Sequence, residues 1–216
     1  MSIKDTLKLI KYSKSADFEI VACVIFLAMA IITSIPIGNN NYMGAFWANY
    51  LSGFVVGQIY SSAFSEMFQS SEKYRNIIIK NSTIIIGIGN AFSFIIFGLI
   101  RTAVAYMIGN TENISTYMLF YCIFQVLYIV FFSLVYKKMA LGVIMAIPFY
   151  LAIVSTGNNW VMSRLNGLSL MHNTTLSLII AAVTCVVTPL IYYGITRLLY
   201  KTPFSDFYVR RIERAN

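Results

Sequence analysis

Charge is what this chain has least of. Only 11% of its 216 residues are Asp, Glu, Lys or Arg, against about 25% in a soluble domain. By contrast 58% are apolar and 15% aromatic, and the mean hydropathy is +0.73. That balance is the signature of an integral membrane protein. At roughly 20 apolar residues per helical span, the length accommodates about six spans and leaves no room for a catalytic globular half. Carboxylates are scarcer still: there are eight Asp and Glu, and none lies in the middle of an apolar run. Glu19 and Glu66 flank such runs, and Glu112 and Asp206 sit in connections. Proton-coupled transporters and intramembrane aspartyl proteases need buried carboxylates, and intramembrane metalloproteases need His and acid ligands that a single His172 does not supply. No G-x-x-x-x-G-K-[ST] occurs, so the chain itself is not expected to hydrolyse ATP. Cys23, Cys122 and Cys185 lie inside apolar runs without a C-x-x-C pair, which argues against disulfide scaffolds and zinc sites. No bound cofactor, no metal and no enzymatic activity are expected of this chain.

What is present is a regular succession of apolar stretches, at about Phe18 to Ile37, Met43 to Phe64, Thr83 to Ile108, Tyr117 to Tyr136, Met139 to Thr156 and Thr175 to Leu199. The first is longer than the roughly 7 to 15 residues of a signal-peptide core, and it reads as a retained span. None shows the alternation of an outer-membrane strand, and backbone groups in lipid must be satisfied internally, so the expected fold is an all-α bundle of six transmembrane helices. The net charge of +8 then reads as an orientation signal, with no nucleic-acid partner implied. Lys4, Lys8, Lys11 and Lys14 precede span 1, Lys73, Arg75 and Lys80 separate spans 2 and 3, and Lys137 and Lys138 form the turn between spans 4 and 5. With Arg197, Lys201, Arg210, Arg211 and Arg214 after span 6, fourteen of the sixteen basic residues share one side. The positive-inside rule puts that side, and both termini, in the cytoplasm.

Within this frame, residues 1–16 form an interfacial helix: Ile3, Leu7 and Ile10 share one face, and Lys4, Lys8 and Lys11 another about 100° away. Span 2 carries Ala45, Asn49, Gly53, Gly57, Ser61 and Ser65 at four-residue spacing, a face without bulk that lets another helix approach. Either its neighbour is a helix of the same chain, or the stripe is a subunit interface or translocation path. Arg101 is the one charge within a span, roughly 10 Å from the outer end at about 1.5 Å per residue. It either snorkels outward or lines a polar cavity with Gln58, Asn90 or Gln125. Pro148 and Pro189 interrupt spans 5 and 6 as tolerated kinks. The sequons at Asn113 and Asn173 have meaning only in a glycosylating pathway. The outer segment 157–173 contains Trp160, Val161, Leu165, Leu168 and Leu170. It is too apolar for a plain loop, and a re-entrant or surface helix is expected.

Between spans 2 and 3 the segment 66–82 alternates Glu66, Glu72, Lys73 and Arg75 with Phe68, Tyr74 and Ile77, an amphipathic piece suited to docking in a partner's groove. Here the chain resembles the membrane subunits of type-2 ABC exporters, in particular small Gram-positive permeases for antimicrobial peptides, phenol-soluble-modulin-like peptide toxins and self-immunity. The acidic residue followed by an R-N-hydrophobic run in those families matches Glu72, Arg75, Asn76 and Ile77 to Ile79; Lys80, Asn81 and Ser82 stand where Gly and Arg are common. The order of elements matches along the whole chain, from elbow helix through coupling helix to the outer segment between spans 5 and 6. The resemblance implies a permease domain over residues 1–216 that pairs with a second permease chain. It also implies cytoplasmic ABC ATPase subunits that hold ATP and Mg and couple through Glu66, Glu72, Lys73, Tyr74, Arg75 and Asn76. Helix packing or the translocation path is expected at Asn49, Gly53, Gly57, Gln58, Ser61, Asn90, Arg101 and Gln125.

Apolar spans with few buried polar groups suit an amphipathic peptide or lipid-like cargo moving against membrane lipids better than a small hydrophilic one. A passive channel without an ATPase partner is the alternative, although no filter segment such as TVGYG is present. A lipid-modifying enzyme ranks third, for want of clustered His, Asp or Glu. Topology is directly testable: in a Cys-free variant, cysteines at Asn40, Asn113 and Asn159 label from outside intact cells and one at Ser71 does not. Reversed labelling overturns the orientation.

Overall fold

The computed structural model describes residues 6, 16–34, 42–62, 73–109, 111, 114–156, 158, 164, 173–203 and 206. These form helices α1 (Ala16–Ser34), α2 (Met43–Ser62), α3 (residues 73–108), α4 (Ile114–Val135), α5 (Met139–Thr156) and α6 (Thr174–Leu199). Residues 76–108 of α3, together with α4, α5 and α6, make four helices long and apolar enough to cross a membrane, while Ile20–Ser34 of α1 is a shorter apolar helix. The expected all-α architecture is therefore observed among the described residues, with four of the six expected spans long and apolar enough to cross a membrane.

The helices run up and down between two ends. At one end Tyr60 of α2 stacks on Tyr136 beyond α4 at 4.9 Å, and Tyr74 of α3 lies 5.8 Å from the Tyr200 ring that follows α6. Lys137, in the turn between α4 and α5, is buried and donates from Nζ to the Thr202 carbonyl at 3.0 Å. Burial brings its ammonium pKa down to about 8. At the opposite end Ser34 of α1 meets Tyr117 of α4, and Ser177 of α6 meets Ser115. Arg75, Lys80, Lys137 and Arg197 all belong to the first end.

Helix α4 is the axle. In its most apolar window 56% of residues are buried inside the protein, against 17% for α5, and it packs on α2, α5 and α6. Aromatic rings fill the space between these helices: Phe46 of α2 meets Phe124 and Tyr128 edge-on or tilted, and Phe149 of α5 abuts Tyr128 at 4.9 Å. The outward faces are apolar instead. Ile32, Ile88, Met107, Ile147, Val186 and Leu190 are all more than half exposed, an arrangement that water penalises and lipid accepts.

Two observations change the boundaries expected from sequence. Span 3 was expected to begin at Thr83, after a separate coupling segment, but α3 is helical from Lys73 onward. Its residues Ile77, Ile78, Ile79 and Asn81 are buried, and Tyr74 with them. The apolar run Ile77 to Ile79 thus packs within the bundle. Moreover, α3 is not uniformly α-helical. Asn76–Asn81 and Phe94–Ile100 are π-helical turns, wider than an α turn by one residue per hydrogen-bonded ring. Gly109, at φ 77°, ends α3 in the left-handed conformation that glycine adopts without strain. Asn173 caps α6 by accepting from the Leu176 N–H at 3.0 Å, which gives this asparagine a structural role irrespective of its sequon.

Within the small-residue stripe of α2, Gly53 faces α4 of the same chain. A Cβ on Gly53 would run into the Phe132 ring and come within 3.0 Å of Tyr128, both on α4. Gly53→Leu is expected to destabilise the bundle by roughly 1–3 kcal/mol through overpacking, read as a lowered melting temperature in detergent. Gly194→Leu, where an added Cβ meets nothing within 4 Å, is expected to leave it unchanged.

Candidate functional site: a polar seam through the bundle

The side chains most costly to bury in lipid converge on α4. On its sequence Tyr117, Tyr121, Gln125 and Tyr128 recur every three or four residues and so share one face. All four are buried. Helices α2, α3 and α6 bring their own polar residues to this face, and the result is a seam of hydrogen bonds along the bundle.

At mid-depth, α2 is tied to α4 by Asn49, whose Nδ2 donates both to Ala45 O at 2.8 Å and to Tyr121 O at 3.0 Å. Its Oδ1 is buried with no hydrogen-bond partner among the described residues. The hydroxyl of Tyr121 donates to Ser93 Oγ of α3 at 3.1 Å, which passes the bond on to Ala48 O of α2 at 3.0 Å. Three helices are closed into one ring by these contacts. A second ring joins α3, α4 and α6. Asn90 Nδ2 donates to Thr188 Oγ1 at 2.8 Å, and Thr188 donates onward to Thr184 O at 2.9 Å. Gln125 Nε2 donates to the sulfur of Cys185 at 3.4 Å, while the Cys185 thiol reaches Asn90 O at 3.8 Å. The thiol is consequently held between an amide and a carbonyl, as a buried polar link with no disulfide partner.

Pro189 follows Thr188 and cannot donate a backbone hydrogen bond, so α6 has a missing rung here. The pyrrolidine ring lies opposite Gly87 of α3, whose absent side chain leaves it room at 3.6 Å from an ideal Cβ. The proline is therefore accommodated where α3 and α6 come closest to the second ring.

Arg101 belongs to a different level. Its side chain is 8% exposed, and its guanidinium carbon lies 3.5 Å from the centroid of the Tyr117 ring. Nη1 is buried without a hydrogen-bond partner among the described residues. Tyr117 in turn exchanges a hydrogen bond with Ser34 of α1 at 3.3 Å. Arg101 thus lies at the end of the bundle where Ser34 also reaches Tyr117, while Asn90 and Gln125 meet around Cys185 at another level. It spends its charge on an aromatic face, a contact that strengthens when desolvated.

Among the other residues singled out from sequence, Asn90 and Gln125 are brought together around Cys185, and Asn49 and Gly53 lie on the α2–α4 contact. Gly57 and Gln58 are buried in α2, whose last turn holds Ser61. Of the docking residues, Arg75 and Asn76 are exposed and Tyr74 is buried; Lys73 begins α3, whereas Glu66 and Glu72 lie outside the described residues. So do most of the interfacial stretch 1–16 and the outer segment 157–173. From the former, Thr6 is described: it is buried and accepts from Asn81 Nδ2 at 2.8 Å, which seats the beginning of the chain against α3.

Ser93, Tyr121, Cys185 and Thr188 were not anticipated as site residues. The signal was available in α6, where Ser177, Ala181, Cys185, Thr188, Tyr192 and Thr196 follow helical spacing on one buried face. Comparison with protein-family profiles, with curated proteins and with solved structures gives no match for this chain.

The contact between Asn90 and Thr188 is measurable as a coupling. A double-mutant cycle with Asn90→Ala and Thr188→Val is expected to give about 0.5–1.5 kcal/mol, the range of interhelical hydrogen bonds in lipid. Additive effects on unfolding would show that the pair is not coupled.

Proposed function

We propose that this chain is the membrane-spanning subunit of an ATP-driven exporter in a bacterial plasma membrane, moving hydrophobic or amphipathic peptides, or lipid-like cargo, outward. In this reading it crosses the membrane six times with both termini in the cytoplasm, pairs with a second permease chain and draws energy from separate ATPase subunits. The observation that carries it is the continuity of α3. One unbroken helix begins with exposed Arg75 and Asn76 at the basic end, enters the seam through Asn90 and Ser93, and finishes beside Tyr117 with Arg101. A force applied at its start is delivered to the middle of the bundle without passing through a loop.

The seam supports the same conclusion. Its groups are amides, hydroxyls and a thiol, which hydrogen-bond to one another and exchange partners at low cost. Such contacts let helices shift without exposing a bare charge to lipid. The apolar exterior gives an amphipathic cargo a surface on which its own apolar face is stable.

The reading fails or stands on the docking end. Glu72→Lys combined with Arg75→Glu reverses charge there and is expected to leave the spans folded. It should lower peptide-stimulated ATPase activity of the purified complex and peptide export from cells by at least about tenfold. Wild-type values for both remove the docking assignment, and a chain that purifies without any ATPase is a passive channel subunit instead.

A further inference from the structure

We propose that the cleft between the start of α3 and the end of α6 binds a phosphate anion, the group common to an anionic phospholipid headgroup and free phosphate. The cleft encloses about 220 Å³ and is lined by Arg75, Asn76, Ile79 and Lys80 from α3 with Tyr193 and Arg197 from α6. A water's share of liquid is about 30 Å³, so a phosphate group fits with water to spare. Three of the six lining residues are cations and none is an acid.

The π turn is what assembles this group. Arg75 and Lys80 are five residues apart, a separation that an α-helix places about 140° apart. A π turn of about 4.4 residues reduces that angle to about 50°, on one face. The turn is held in this form by three hydroxyls: Ser82 donates to Ile77 O at 2.7 Å, Tyr192 to Ile78 O at 3.0 Å and Thr83 to Ile79 O at 2.6 Å. The Tyr192 bond also clamps α6 against α3, and it fixes the neighbouring Tyr193 and, one turn on, Arg197 across the cleft. A widened turn pinned by side chains from two helices is a built arrangement of charges.

Three cations around one cleft repel one another, and an anion among them removes that repulsion. Among the described residues none of the three is ion-paired with a carboxylate, and Arg75 has only the Tyr200 ring at 5.9 Å. Arginine offers planar paired donors to phosphate oxygens, and lysine adds a point charge. Apolar tracks lead away from the cleft along both helices. Ile84 and Ile88 continue from Lys80 on α3, and Leu190 and Val186 continue from Tyr193 on α6; these four are 46–66% exposed. A headgroup in the cleft would lay its acyl chains along them, as basic pockets between membrane helices do for anionic lipids.

The site shares Arg75 and Asn76 with the proposed docking end but requires only that the chain sit in a membrane, so it is tested on the purified chain alone. Native mass spectrometry in detergent micelles would measure binding of phosphatidylglycerol, phosphatidylcholine and inorganic phosphate. Wild type is expected to bind phosphatidylglycerol at least about tenfold more tightly than phosphatidylcholine, and Lys80→Gln with Arg197→Gln to lose that preference. Lys80→Arg with Arg197→Lys should keep it. Lys138→Gln with Lys201→Gln removes the same charge from the same end outside the cleft, and should keep it also. Competition by inorganic phosphate at millimolar concentration assigns the site to the free anion, and its failure to compete assigns it to the lipid headgroup. Equal losses in the two Gln pairs, or no preference in wild type, overturn the proposal.

Discussion

A polar side chain taken into lipid has to find its partner inside the protein, and the whole bundle is arranged around meeting that demand on α4. Tyr117, Tyr121 and Gln125 offer hydroxyl, phenol and amide groups along one face, and each recruits a different neighbour: Ser34 from α1, Ser93 from α3, Cys185 from α6. Hydrophobic burial provides little preference among helices that are all soluble in hydrocarbon. Hydrogen bonds with defined donors and acceptors, together with the close packing that Gly53 permits, choose which helix lies beside which. The aromatic filling between α2, α4 and α5 then sets distances, since rings such as Phe46 and Phe149 leave few alternative packings.

Much of this was legible in the residues and some of it was not. The apolar runs located the helices within a few positions, except that α3 begins ten residues before the expected Thr83. The sequence left open whether the helix approaching the four-residue stripe in α2 belonged to the same chain. At Gly53 the neighbours are Phe132 and Tyr128 of the same chain, and no local pattern connects them to it. For Arg101 the sequence suggested water or amides, because cations usually seek them; a tyrosine sixteen residues further on offered its ring. The π turns left no trace in composition. Their residues, NIIIKN and FIIFGLI, are ordinary for a span, and the widening is selected by tertiary partners such as Tyr192, which lie more than a hundred residues away.

Cys185 illustrates why polar contacts inside membranes are easily overlooked. In a hydropathy count it is an apolar residue, and with no second cysteine nearby it suggests no chemistry. In the structure it is a small hinge point between Asn90 and Gln125, where a weak donor and acceptor lets two amides share one neighbour. Thr188 acts alike: it accepts from α3 and donates into its own helix, just ahead of the rung that Pro189 removes. Weak and shared bonds of this kind hold a contact without locking it.

The two wide turns in α3 also have an arithmetic consequence. A helix of constant pitch that points Tyr74 at the Tyr200 ring would have its later faces fixed by counting alone. Each π turn instead absorbs an extra residue and resets the phase, so that Asn90 and Ser93 meet α6 and α2, and Arg101 meets Tyr117, on independently chosen bearings. Loss of one residue from Asn76–Asn81 would restore ordinary pitch there and leave the bearings on either side nearly unchanged, whereas loss of one from the α-helical stretch Ser82–Ser93 would rotate everything before it by roughly 100° relative to the rest of the bundle. The helix is therefore a crankshaft with three throws, and its length in residues carries as much information as the identity of its side chains.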